Sequence, residues 1–365
     1  MHFMKQYQSI VIVLTVLFAS QCSWLSDAEN GKRPFVGLGS LVLDSPELRD
    51  IGPAWISPNE DVLVWTGRYG SQSCTMHRVS TVSGSSGRIK SLSCARLVDS
   101  MSASPDGKYF AHTSYYRGSS DQDSSILYLS VSDDLTQSIA LGTIPNNYIY
   151  PTLTYAWSTS KELFAYKTID RLAIWNLRTM APLQIVPLWG ELLCFSPDGG
   201  ELLYIDIDRE YNYRSILAVY DLATGESAVL ESFDFMVSQV AYWDESGIHL
   251  IYKHGAEVMI YSHQDGTTLE VAIAGELSES WHVSSLSPDY TKAALWLRTG
   301  YSDSRRFHLY LLDIKAGTIE LFANSKEKGT TSGGTAFSPD GSKIAFLFSL
   351  DWGPEAYSNL YYKEL

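Results

Sequence analysis

The chain has 365 residues, long enough for one large domain or two ordinary ones. A hydrophobic fraction of 45% with 13% aromatics excludes a disordered chain, and 23 tyrosines with 10 tryptophans suit a β-rich fold. The net charge of −14, without a basic stripe, offers no footprint for a phosphate backbone and excludes nucleic acid as a partner.

In chain order, residues 1–21 read as an export signal. Lys5 supplies the positive charge, and the run from Ile10 to Ala19 is almost unbroken apolar residue, the length of a signal core and short for a membrane span. Ala19-Ser20-Gln21-Cys22 resembles a bacterial lipobox, which makes Cys22 the candidate lipidation site and membrane anchor. Gln21 departs from the Gly, Ala or Ser usual there, so plain secretion and an uncleaved anchor stay open as alternatives. Residues 22–34 are polar and read as a tether, and 35–365 as one domain.

Cys74 and Cys94 flank a turn, Ser83-Gly84-Ser85-Ser86-Gly87, that sits at their midpoint. The spacing predicts that they face each other across a hairpin and form a disulfide in an oxidising compartment; two unrelated thiols is the other reading. Cys194, inside Leu192-Leu193-Cys194-Phe195, reads as a buried, inert thiol.

A repeat organises the remainder. One phrase recurs as Ala103-Ser-Pro-Asp-Gly107, Phe195-Ser-Pro-Asp-Gly199, Leu286-Ser-Pro-Asp289 and Phe337-Ser-Pro-Asp-Gly341. Looser copies begin at Trp55, Ala156 and Tyr242. Anchored on Ser57, Ser104, Ser158, Ser196, Asp244, Ser287 and Ser338, the spacings are 47, 54, 38, 48, 43 and 51 residues. That is the length of a four-stranded propeller blade. Within each copy proline presets φ, aspartate bonds its own backbone and glycine takes a positive φ. Strand-like runs follow at 108–113, 201–205 and 343–347, and no stretch carries a long amphipathic helix.

These phrases resemble the TolB-like family of WD40-type propeller repeats (PD40 repeats), over nearly everything from residue 36 onward. The resemblance implies an all-β, seven-bladed β-propeller of four-stranded antiparallel blades around a central channel. The last repeat is one strand short, and residues 35–43 form a strand-like segment without a repeat of their own, predicted to complete the last blade and close the ring. Six blades stay open if the repeat at Trp243 is irregular. TolB's α/β domain has no counterpart in this sequence, so a role in a Tol–Pal system is not carried over.

In propellers the loop joining the second and third strands opens at one channel mouth. Here those loops hold Tyr115, Tyr116, Arg117, Tyr211, Tyr301, Arg305 and Trp352, which are the expected ligand-binding residues. Aromatic and arginine side chains suit a protein, peptide or carbohydrate ligand; a soluble surface making only blade-to-blade contacts is the plain alternative. Asp206, Asp208 and Glu210 alternate along one strand but lack the calcium-loop glycine and terminal glutamate, and read as solvated carboxylates beside Arg209 or Arg214. The histidines form no close metal pair, no Gly-x-Ser-x-Gly elbow occurs, and Ser332-Gly-Gly334 lacks the lysine of a phosphate loop. The expectation is therefore a non-catalytic binding scaffold, periplasmic or at the cell surface, with no cofactor, metal or catalytic residue. The rival reading is a propeller enzyme, a polysaccharide lyase or hydrolase with its site at the channel mouth.

Overall fold

The computed structural model describes residues 35–37, 40–45 and 53–365, apart from 57–60, 67–72, 84, 94–100, 117–123, 133, 146–154, 159, 168–170, 187–190, 209–213, 235–239, 255–256, 272–279, 301–305, 326–329 and 351–356. Among these residues every regular element is a β-strand. They form seven antiparallel sheets, the blades of a β-propeller. Blades 1 to 7 span 54–93, 101–145, 155–186, 191–233, 240–271, 280–325 and 330–364. The repeat at Trp243 is complete, with strands Val240–Asp244, Gly247–His254, Glu257–Ser262 and Thr267–Val271, so the count is seven rather than six.

The first strand of each blade is the innermost. First strands of neighbouring blades touch, including Thr330–Phe337 of blade 7 against Ala54–Ile56 of blade 1. The core lies between the sheets as seven apolar clusters, each shared by two adjacent blades. One of them closes the ring: Trp55, Val62, Val64 and Val79 of blade 1 pack on Ala345, Leu347 and Leu360 of blade 7. All seven of those side chains are buried, and fully burying each of the large ones stabilises by roughly 1.5–3 kcal/mol. Trp55 also donates its indole N–H to the Ala336 carbonyl across the same seam, at 2.7 Å.

The N-terminal segment closes the last blade, as its patterning predicts, but not as one strand. Ser40–Ser45 pairs antiparallel with Tyr357–Glu364 and supplies the missing outer strand of blade 7, with Leu43 opposite Leu360. Phe35–Gly37 pairs instead with the outer strand of blade 6, Phe35 opposite Ser325, and gives that blade a fifth strand. Gly37 ends the first of the two strands, and glycine weakens a strand that contains it. One segment thereby ties two blades together.

Candidate functional site

Four turns of one design ring the channel at the end where first strands pass into second strands. In blade 4 the Ser196 hydroxyl donates to Asp198 Oδ1 at 2.6 Å and accepts the Glu201 amide at 2.9 Å. The same clamp recurs at Ser104–Asp106, Ser287–Asp289 and Ser338–Asp340. The serine hydroxyl and the Gly200 amide hold the Asp198 carboxyl below its ordinary value. For Asp106, Asp289 and Asp340 burial alone would raise the carboxyl, yet serine and backbone donors outweigh it and the net direction is again downward. Gly107, Gly199 and Gly341 complete three of the turns with φ of 67°, 69° and 71°. In blade 6 the corresponding residue is Tyr290, at φ 56°.

Beside three of these turns, those of blades 2, 6 and 7, lies a cavity of about 300 Å³. It is framed by blades 6, 7, 1 and 2, and its lining is hydroxyls, prolines, alanines and aromatic rings, among them Ser102, Ser284, Ser285, Thr335, Pro288 and Tyr290. The first strands of blades 6 and 7 each carry a bulge at this level, between Val283 and Ser285 and between Ser332 and Thr335. The two bulges are bonded to each other. The Thr335 amide donates to Ser284 Oγ at 3.0 Å, and the Ser285 and Thr335 hydroxyls share a hydrogen bond. Across blades 2 and 3 the Trp157 indole donates to Ser102 Oγ at 2.8 Å.

Behind the cavity wall runs a row of rings. Tyr290 stacks on Tyr242 with centroids 5.3 Å apart, and Tyr242 stacks on His249 at 4.7 Å. Burial pushes both tyrosine hydroxyls up to about 12, so each remains a hydrogen-bond donor at neutral pH. His249 ends the row beside Ser246 and Asp244. Those three are not arranged as a nucleophile and its base: Ser246 donates to Asp244 Oδ1 at 2.6 Å, and therefore accepts from the imidazole. The trio is the blade 5 version of the serine–aspartate clamp.

Two of the expected ligand residues belong to the opposite end of the channel. Tyr115 and Tyr116 are the last residues of the second strand of blade 2, opposite Ser125 and Ser124. Arg117, Tyr211, Tyr301, Arg305 and Trp352 lie outside the described residues, as does Cys22. The strands that bracket these five meet as second and third strands of blades 2, 4, 6 and 7, at the end away from the Ser-Pro-Asp turns. On that side, burial lowers the Lys167 ammonium, while the charges of Glu191 and Asp206 act against it. Asp208 stands opposite Arg214, whose guanidinium pairs with Asp234 at 3.0 Å.

In the hairpin of blade 1 Cys74 stands opposite Leu92, because the turn is centred nearer its first strand than the midpoint suggests. Cys94 lies outside the described residues. Cys194 packs partly buried against the core between blades 4 and 5, and burial pushes its thiol up to about 12.

Sequence reasoning missed the cavity residues, because the Ser-Pro-Asp phrases were informative as fold markers and were read no further. The available signal was the fourth position of the phrase, where Tyr290 interrupts a run of glycines.

No family model matches the chain, and no curated protein does. Among solved structures, it resembles the β-propeller domain of the Trilobed protease from Pyrococcus furiosus, described as having an open velcro topology. That match has 14% identity and a TM-score of 0.59, and covers 87% of this chain and 97% of that one. A chain of a Mitotic Checkpoint Complex matches at 13% identity and a TM-score of 0.53, over 92% of this chain and 95% of its own. TolB from Acinetobacter baumannii matches at 16% identity and a TM-score of 0.48, over 80% and 77%. Likeness at such identities is likeness of fold. It agrees with the class that the seven sheets define, a seven-bladed β-propeller. The open velcro of the archaeal domain contrasts with the strand Ser40–Ser45 that completes blade 7 here.

Proposed function

We propose that this propeller is an exported, non-catalytic recognition module of the TolB-like repeat type, working in the periplasm or at the cell surface. The observation that carries the reading is the cavity of about 300 Å³ at the channel, lined by hydroxyls, prolines and rings from four blades. Such a lining orients a ligand through hydrogen bonds and apolar contact, and its volume is at the small end of ligand sites. Its hydroxyls are engaged as turn clamps and inter-blade bonds, not poised beside a base. The four Ser-Pro-Asp turns support the repeat type, and the apolar run after Lys5 supports export, with Cys22 as anchor.

The test is affinity capture from the native envelope, with mass spectrometry and glycan profiling, followed by titration of the captured ligand. Ser285→Trp, which fills the cavity, is expected to weaken binding by more than about tenfold, the effect of losing a central contact. Arg117→Ala, Tyr301→Ala and Trp352→Ala probe the opposite rim. Loss of binding in those three with normal binding by Ser285→Trp moves the site to the rim, and turnover of the captured ligand overturns the non-catalytic reading.

A further inference from the structure

Tyr290 is the anomaly of the channel. Its amide bonds the Ser287 carbonyl at 2.9 Å, as the Gly107, Gly199 and Gly341 amides bond their own serines at 2.8 Å, so the turn itself gives no reason for a tyrosine. Its φ of 56° lies in the left-handed region, where a bulky side chain is strained and where three sister turns use glycine. Strain of this kind persists where surrounding structure holds it, and it clusters at ligand sites. Here the ring is held against Tyr242 and forms part of the cavity wall.

The hydroxyls beside it are already acceptors. Ser102 Oγ takes the Trp157 indole N–H and Ser284 Oγ takes the Thr335 amide, so each has its own O–H left to donate into the cavity. Among the described residues the lining holds no charged side chain, in a chain of net charge −14. The matching ligand is uncharged, rich in oxygen acceptors, and carries an apolar face for an aromatic wall. A folded protein partner needs far more contact than a cavity of about 300 Å³ framed by four blades provides, at roughly 800 Å² per side.

We infer that the channel cavity binds one or two rings of a neutral saccharide, with Tyr290 as the wall that decides specificity and Ser102 and Ser284 as donors to sugar oxygens. This rests on the reading of the channel cavity as the ligand site. Tyr290 keeps its strained backbone for ligand contact and not for folding.

The experiment titrates the full chain with maltotriose, cellotriose and the capped peptide acetyl-Ala-Ala-Ala-amide, using calorimetry and saturation-transfer NMR. The parent is expected to bind a trisaccharide and not the peptide. Tyr290→Gly is expected to weaken that binding about tenfold or more, with Tm nearly unchanged because relief of backbone strain offsets the lost stacking. Tyr290→Phe keeps the wall and binds within about threefold of the parent, whereas Ser284→Ala loses about three- to tenfold, as for one hydrogen bond. Binding of neither trisaccharide overturns the inference. Peptide binding that Tyr290→Gly abolishes overturns the saccharide class and leaves the channel site standing. Saccharide binding untouched by both Tyr290→Gly and Ser284→Ala removes the channel site itself. A large fall in Tm with unaltered affinity in Tyr290→Gly makes the tyrosine a packing residue and overturns its assigned role.

Discussion

The first turns of blades 4 and 6 begin with the same three residues, serine, proline and aspartate, and part company at the fourth. In blade 4 that residue is Gly199, and a Cβ built there would collide with the Ser158 hydroxyl of blade 3 and crowd the Lys161 side chain. In blade 6 it is Tyr290, whose ring reaches the core shared with blade 5 and the channel cavity. The clamp is the same in both: serine to aspartate at 2.6 and 2.7 Å, and the amide five residues beyond the serine at 2.9 Å. A hydrogen-bonded turn therefore fixes the backbone path, while the space beside it decides which side chain the fourth position carries. Glycine in blade 4 answers a close approach, and tyrosine in blade 6 fills a site.

Both turns depend on the ring that holds the blades in register. Deleting residues 40–45 within the full chain should have the largest effect, since it strips the outer strand from blade 7 and bares the edge at Tyr357–Glu364. The expected outcome is aggregation, or a Tm lower by more than about 10 °C. Deleting only 35–37 should cost much less, because blade 6 keeps four strands without it. Equal Tm values in the two deletions would mean that Ser40–Ser45 is not the closure.

Transplanting the tyrosine comes next. Gly199→Tyr places a bulky residue at φ 69° against the neighbouring blade, and should destabilise by about 3–5 kcal/mol, above the usual range for one substitution. Urea unfolding checks this; a loss under about 1 kcal/mol would show that the blade 3–4 gap yields and that the two turns do not differ as described. Smaller still, Ser196→Ala and Ser287→Ala each remove a donor to aspartate and an acceptor for an amide. Both should cost about 1–2 kcal/mol, and by similar amounts if the clamp is indeed common to both turns.

The smallest effect is on acid stability. The Asp198 carboxyl is held below its ordinary value by the Ser196 hydroxyl and the Gly200 amide. A depressed folded value means that its stabilisation is complete above the unfolded value, about 4, and is lost as pH falls through the folded one. Asp198→Asn should therefore flatten the stability profile below about pH 4 and leave its slope at neutral pH alone. An unchanged acid slope would mean that the clamp does not discriminate the charged form.

Much of this architecture was legible before any coordinates. Pro105, Pro197, Pro288 and Pro339 mark the passage from first to second strand in four blades because the turn needs proline's φ, and that requirement is local. The split of 35–45 into two strands on different blades was not legible, since pairing partners about three hundred residues away leave no local trace. In the hairpin of blade 1 the turn is centred nearer its first strand than the midpoint of the two cysteines, so Cys74 stands opposite Leu92, and spacing alone does not reveal where a turn is centred. Whether Cys74 and Cys94 are nonetheless joined is a matter for non-reducing peptide mapping of exported protein. The cavity eluded the sequence because its parts, Ser102, Ser284, Thr335 and Tyr290, come from three blades and are common residue types. Only the tyrosine in a glycine position carried a signal.

Recognition at the Ser-Pro-Asp end of the channel is tested most directly by hydrogen exchange of the chain with and without its captured ligand. Backbone amides across 284–290 and 335–339, the segments that line the cavity in blades 6 and 7, are predicted to exchange more slowly when the ligand is bound. Unchanged exchange in both segments, with protection confined to residues 117–123, 209–213, 301–305 and 351–356, would contradict it.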